Sequence, residues 1–131
     1  MKKILLMLMS ILIVSGCVEE ATTRTMSIEK SLPKKIEKIL QENPNDKKNS
    51  VQLFSNGNNT YYILYETNKR IDEIPMISET IDSEVTINII EGEEQEKLSR
   101  YIFKLKSDIN YKTINLEING NPASFDVVTV Y

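Results

Sequence analysis

The stretch Val51–Glu66, VQLFSNGNNTYYILYE, decides the fold. Two apolar runs, Val51 to Phe54 and Thr60 to Glu66, flank Ser55-Asn56-Gly57-Asn58-Asn59. Asn-Gly between apolar runs predicts a β-hairpin, because both residues tolerate positive φ. In the second run Tyr61, Ile63 and Tyr65 fall on one face of a strand, and Tyr62 and Leu64 on the other. Tyr61 and Tyr62 therefore cannot fill the same core, and one of them, or Tyr65, is expected to meet solvent or a helix.

The same period of two continues downstream. Val85, Ile87 and Ile89 alternate with Thr86 and Asn88, and Tyr101, Phe103 and Leu105 with Lys104 and Lys106. Ile114, Leu116 and Ile118 alternate with Asn115 and Glu117, and Phe125 to Tyr131 reads as a last strand. Glu91-Gly92-Glu93-Glu94, Ser107 to Lys112 and Asn119-Gly120-Asn121-Pro122 read as turns between them. Thr67 to Ser83, interrupted by Pro75, reads as a loop or a poor edge strand. Short strands at intervals of roughly 8–12 residues predict an antiparallel meander closed into a small sandwich or partial barrel.

Upstream, the pattern is helical. Leu32, Ile36, Ile39 and Leu40 share one face, with Lys34, Lys35, Glu37 and Lys38 opposite. Ser31 is the expected N-cap, Pro33 sits in the first turn, and Asn43-Pro44 ends the helix. Ser27 to Lys30 is a possible backward extension. Asn45 to Ser50 is a polar loop. The expected class is thus mainly β with one N-terminal helix.

The first residues carry a different signal. Met1-Lys2-Lys3 precedes Ile4 to Val14, 11 residues with Ser10 as the single polar one, and then Ser15-Gly16-Cys17. A basic start, a short apolar run and small residues at its end form a secretory signal peptide. The run is too short for an ordinary spanning helix, which needs about 20 residues. Val14-Ser15-Gly16-Cys17 resembles the bacterial lipobox, with Val14 where Leu is commonest. That resemblance implies cleavage before Cys17 and acylation of its thiol. One acyl chain holds only marginally and two anchor stably, so a diacylglycerol on Cys17 would tie the protein to the bilayer. The domains expected are a signal peptide over 1–16, a lipidated N-terminus and polar tether over 17–30, and a single β-rich domain over 31–131. The localisation expected is a lipid anchor in the cell membrane, facing the extracellular or periplasmic side.

Composition narrows the chemistry. The 131 residues contain no His, no Trp and one Cys, with a formal charge of −3. Zero His removes Ser-His-Asp and Cys-His catalysis and His-ligated metals, and one Cys removes any internal disulfide. The acidic balance argues against a nucleic-acid partner. Loss of Lys2 and Lys3 on processing leaves 14 basic and 19 acidic side chains, near −5, so the lipid and not a basic patch would provide attachment.

No stretch forms a convincing catalytic, metal or cofactor motif. Glu91 to Glu96 lacks the EF-hand spacing and reads as a solvated tip. Asp72-Glu73 and Asp82…Glu84 are acid pairs that nothing places across a cleft. Ser27-Ile28-Glu29-Lys30 and Ser31-Leu32-Pro33-Lys34 fit Ser-x-x-Lys without a companion motif. The aromatic strands offer the remaining site: an exposed tyrosine surface at Tyr62 and Tyr65 with Lys69 and Arg70, suited to a peptide or glycan. The expected function is a non-enzymatic binding module for a protein, peptide or wall component. A His-independent prolyl isomerase and an accessory subunit of a membrane complex are the alternatives.

Overall fold

In the computed structural model, which describes residues 24–44, 49–80 and 83–131, nine strands and one helix follow one another. They are β1 (Arg24–Glu29), α1 (Lys34–Glu42), β2 (Ser50–Ser55), β3 (Thr60–Lys69) and β4 (Met76–Thr80), then β5 (Glu84–Ile89), β6 (Glu94–Ser107), β7 (Thr113–Ile118), β8 (Asn121–Ala123) and β9 (Val127–Val130). The mainly β class with a single short helix matches the sequence reading. The expected signal peptide and Cys17 lie outside the described residues.

The hairpin forms as expected, with Leu53 opposite Ile63 and Phe54 opposite Tyr62. Its tip works differently. Only Gly57 takes positive φ, +79°, while Asn56 Oδ1 accepts hydrogen bonds from the N–H groups of Asn58, Asn59 and Thr60 at 2.9, 3.1 and 3.1 Å. The second Asn-Gly, between β7 and β8, does use both residues, with Asn119 at +53° and Gly120 at +79°. That is the two-residue turn such a dipeptide favours.

The strands do not form a meander or a barrel. One five-stranded sheet runs β1-β6-β3-β2-β9 and one four-stranded sheet runs β4-β5-β7-β8. Both are mixed, because β2 pairs β9 and β5 pairs β7 in parallel. The chain leaves one sheet after β5, enters the other for β6 and returns for β7. Glu91 to Glu93 is therefore a crossing between sheets and not a hairpin tip. Alternation in the sequence fixes which side chains face inward, but it is the same for parallel and antiparallel neighbours.

Three layers result. Between the sheets lie Val51, Ile63, Val85, Ile87, Phe103 and Leu105, all buried. On the outer face of the five-stranded sheet, Leu32 and Ile36 of the helix segment pack on Phe54, Tyr62, Leu64 and Ile102. The central strands β2 and β3 are thus covered on both faces, which is why their sequences are nearly continuous apolar runs. Tyr62 is the tyrosine that meets the helix; Tyr61 and Tyr65 enter the core between the sheets.

Two expectations around α1 are corrected. Residues 24–29, the end of the expected tether and the start of the possible helix extension, form β1, antiparallel to β6 with Met26 opposite Leu105. The helix is therefore preceded by a strand. Met26 and Ile28 are too few to show a period, and the pairing with β6 decides. Ser31 does not cap the helix; Pro33 occupies the cap position without a side-chain bond. Its carbonyl accepts from Ile36 and Glu37 at 3.0 and 3.1 Å.

Candidate functional site

The residues singled out in the sequence do not converge. Tyr62 faces α1, with Lys104 Nζ 5.7 Å from its ring centroid. Tyr65, three positions on, faces the opposite side of β3 and is 5% exposed. Its hydroxyl donates to Glu91 Oε2 at 2.8 Å. Burial first, and then that hydrogen bond, push the Tyr65 hydroxyl up to about 12. Lys69 sits 3.9 Å from Glu94. The exposed Arg70 side chain pairs with Asp72 at 2.8 Å, while its backbone bonds Gly92 and Glu93. An exposed tyrosine surface at these positions is thus absent: Tyr61, Tyr62 and Tyr65 are all buried.

The acidic residues are also dispersed. Glu91 holds Tyr65, and Glu94 holds Asn68 and Lys69. At the other end of the sandwich, Glu79 accepts from the Tyr111 hydroxyl and pairs with Arg24 at 3.0 Å. Burial first, and then the Glu79 bond, push the Tyr111 hydroxyl up to about 12. The Tyr65 bond ties β3 to the β5–β6 crossing and the Tyr111 bond ties β4 to the β6–β7 connection, while Arg24–Glu79 joins the two sheets through β1 and β4. Among the described residues, no group of three His, Cys, Asp or Glu side chains is arranged to hold a metal.

A different site stands out where α1 ends over the edge of the five-stranded sheet. Ile39, Leu40, Asn43, Pro44, Phe54, Val127 and Thr129 line a groove of about 400 Å³. Three segments meet there. The apolar stripe of α1 continues past its buried Ile36 to Ile39 and Leu40. The register of β2 with β9 places Gln52 beside Val127 and Phe54 beside Thr129 on the face below the helix. Gln52 also lines the groove and is 4% exposed, and its Nε2 has no hydrogen-bond partner. An amide donor left unpaired out of water costs about 1–3 kcal/mol. Among the described residues, no charged side chain lines the groove.

The groove opens onto β9, the last strand of its sheet. Asp126 fastens its start: its N–H donates to the Val51 carbonyl at 2.8 Å, and its Oδ2 accepts from the Val51 N–H at 2.8 Å. Val128 and Val130 point to the face away from the helix and are 61% and 69% exposed. Sequence reasoning missed this site, although one sign was present. Gln52 is a polar residue inside the run that becomes a strand buried on both faces.

Such a site can hold a neutral group with both apolar and polar parts, whose acceptor the Gln52 amide could satisfy. Among the described residues its lining contains no Ser, Cys, Lys, Asp or Glu. No family model matches the chain, and neither a curated protein nor a solved structure matches it.

Proposed function

We propose that this chain is a small lipid-anchored surface protein whose β-rich domain is a binding module and not an enzyme. The lipid is carried by Cys17 in Val14-Ser15-Gly16-Cys17, and the domain works at the outer face of the membrane through the groove between α1 and β9. The observation that carries the binding role is the unpartnered Gln52 amide in a groove whose described lining is uncharged. A bound partner that supplies an acceptor there removes a standing penalty.

The exposed valines of β9 favour docking to another protein.

Two measurements test the proposal. Cys17→Ala should move the protein from the membrane fraction to the soluble one, and retention of that variant after cleavage of residues 1–16 would contradict the anchor. For the groove, a photo-crosslinking residue in place of Leu40 should capture a discrete partner in intact membranes. The same residue in place of Thr86, on the far sheet, should not. Equal labelling from both positions, or none from Leu40, would refute the binding role of the groove.

A further inference from the structure

The four outer edges of the two sheets are treated differently by the sequence. β1 carries Arg24 and Glu29, β4 carries Glu79 and follows Pro75, and β8 is three residues long with Pro122 at its centre. Charges, prolines and short length are the usual devices that stop a free edge from pairing. β9, Val127-Val128-Thr129-Val130, is also short at four residues but carries neither a charge nor a proline.

Its hydrogen-bonding direction can be assigned. The Tyr131 N–H donates to the Ser55 carbonyl at 2.9 Å. Alternation along the strand then turns Thr129 toward β2 and leaves the N–H and C=O of Val128 and Val130 pointing outward. These backbone groups lie alongside the groove that holds Gln52.

Resting on the binding role proposed above, the geometry points to one occupant: an extended, uncharged peptide segment of another protein, added as a sixth strand on β9. Its backbone pairs with Val128 and Val130. One of its side chains, an amide or hydroxyl bearing an acceptor oxygen, enters the groove and takes the hydrogen from Gln52 Nε2. Main-chain bonds supply affinity in this mode, and the pocket for alternate side chains supplies selectivity. The neutral lining of the groove and the uncharged edge both select against a charged segment.

Two other occupants fit less well. The chain's own N-terminal segment joins the sheet through β1, at the opposite edge, four strand spacings or about 19 Å away. In the lipidated protein, residues 18–23 would span at most about 20 Å, and the crossing would consume them. A symmetric pairing of β9 with a second copy would bring together four residues from each chain. Stable interfaces use roughly 20–30 residues a side.

The test is to pan a random heptapeptide phage library on the full-length lipidated chain in detergent micelles. Enriched peptides are expected to alternate uncharged apolar residues and to share an Asn, Gln, Ser or Thr at one position. For a synthetic copy of such a peptide, Val128→Pro, which removes an outward N–H, should weaken binding about tenfold. Gln52→Met should weaken it severalfold, and Thr86→Ala should leave it unchanged. If Val128→Pro does not give the wild-type circular dichroism spectrum, Val130→Lys serves as the second edge variant, with the same tenfold loss expected.

Absence of enrichment, or binding indifferent to the edge variants, overturns the inference. So does a dimer in sedimentation velocity that Val128→Pro dissolves, because the edge would then belong to a second copy. If the Leu40 crosslink persists in any of those cases, the groove still binds a partner and only the peptide strand is wrong. If the crosslink is also missing, the binding role itself has failed.

Discussion

Asp126 holds both backbone groups of Val51, accepting from its N–H at 2.8 Å and donating its own N–H to its carbonyl at 2.8 Å. The pair are 75 residues apart in the chain. This clamp sets where the parallel strand β9 begins on β2, and hence which residues face the groove.

Asp126→Ala is therefore expected to do more than remove one hydrogen bond. A bond to a carboxylate contributes about 1.5–3 kcal/mol, so the urea midpoint should fall accordingly. Hydrogen exchange should accelerate first at Val127 to Val130, while β3 and β6 stay protected. Uniform acceleration over all strands would mean that β9 is not a separable edge.

The layer above the sheet depends on Ile36, which is fully buried against Phe54, Tyr62 and Leu64. Ile36→Ala should lower stability by about 2–4 kcal/mol, combining lost transfer energy with the cavity left behind. Chemical denaturation checks the value. A loss below about 1 kcal/mol would imply that α1 lies loosely on the sheet and that the groove beneath its end is not fixed.

The tyrosine–carboxylate contacts predict a defined alkaline limit. In the folded chain Tyr65 and Tyr111 keep their protons up to about 12, whereas an unfolded tyrosine ionises near 10. Because the folded value is the higher, their contribution is complete below pH 10 and is lost as pH rises toward 12. Each should remove about 2 kcal/mol over that interval. A Tyr65→Phe, Tyr111→Phe double variant starts less stable but should lose less between pH 9 and 11.5. Parallel curves for the two proteins would exclude these hydroxyls as the cause.

How much of this could be read from the chain depends on how local each signal is. Both Asn-Gly turns are local and were found, although at Asn56-Gly57 the asparagine acts through its side chain and not through φ. Parity along β3 correctly required one tyrosine to leave the inter-sheet core, and Tyr62 does so beneath α1. Parity says nothing about which strand lies alongside, so the two parallel pairings were missed and an antiparallel meander was expected. β1 was hidden for a related reason. Its two apolar residues, Met26 and Ile28, become a strand only against β6. The groove is less legible still, since Leu40, Gln52 and Val127 come from three distant segments joined by the β2–β9 pairing.

Gln52 provides the sharpest prediction, because its two roles pull in opposite directions. Its Nε2 is buried without a partner in the free protein, and both sides of β2 are packed. Gln52→Met keeps the length of the side chain and replaces the amide with an apolar, adaptable group. Removing an unsatisfied buried donor should raise stability by about 1–2 kcal/mol, read as a higher urea midpoint at unchanged m-value. Most substitutions of a buried residue lower stability, so a gain here is diagnostic. The same variant should lose groove-dependent crosslinking from Leu40. A residue kept at a cost to the fold and needed for binding is one retained for its partner. If Gln52→Met instead destabilises the chain, the amide already has an acceptor in the free protein, and the groove carries no waiting donor.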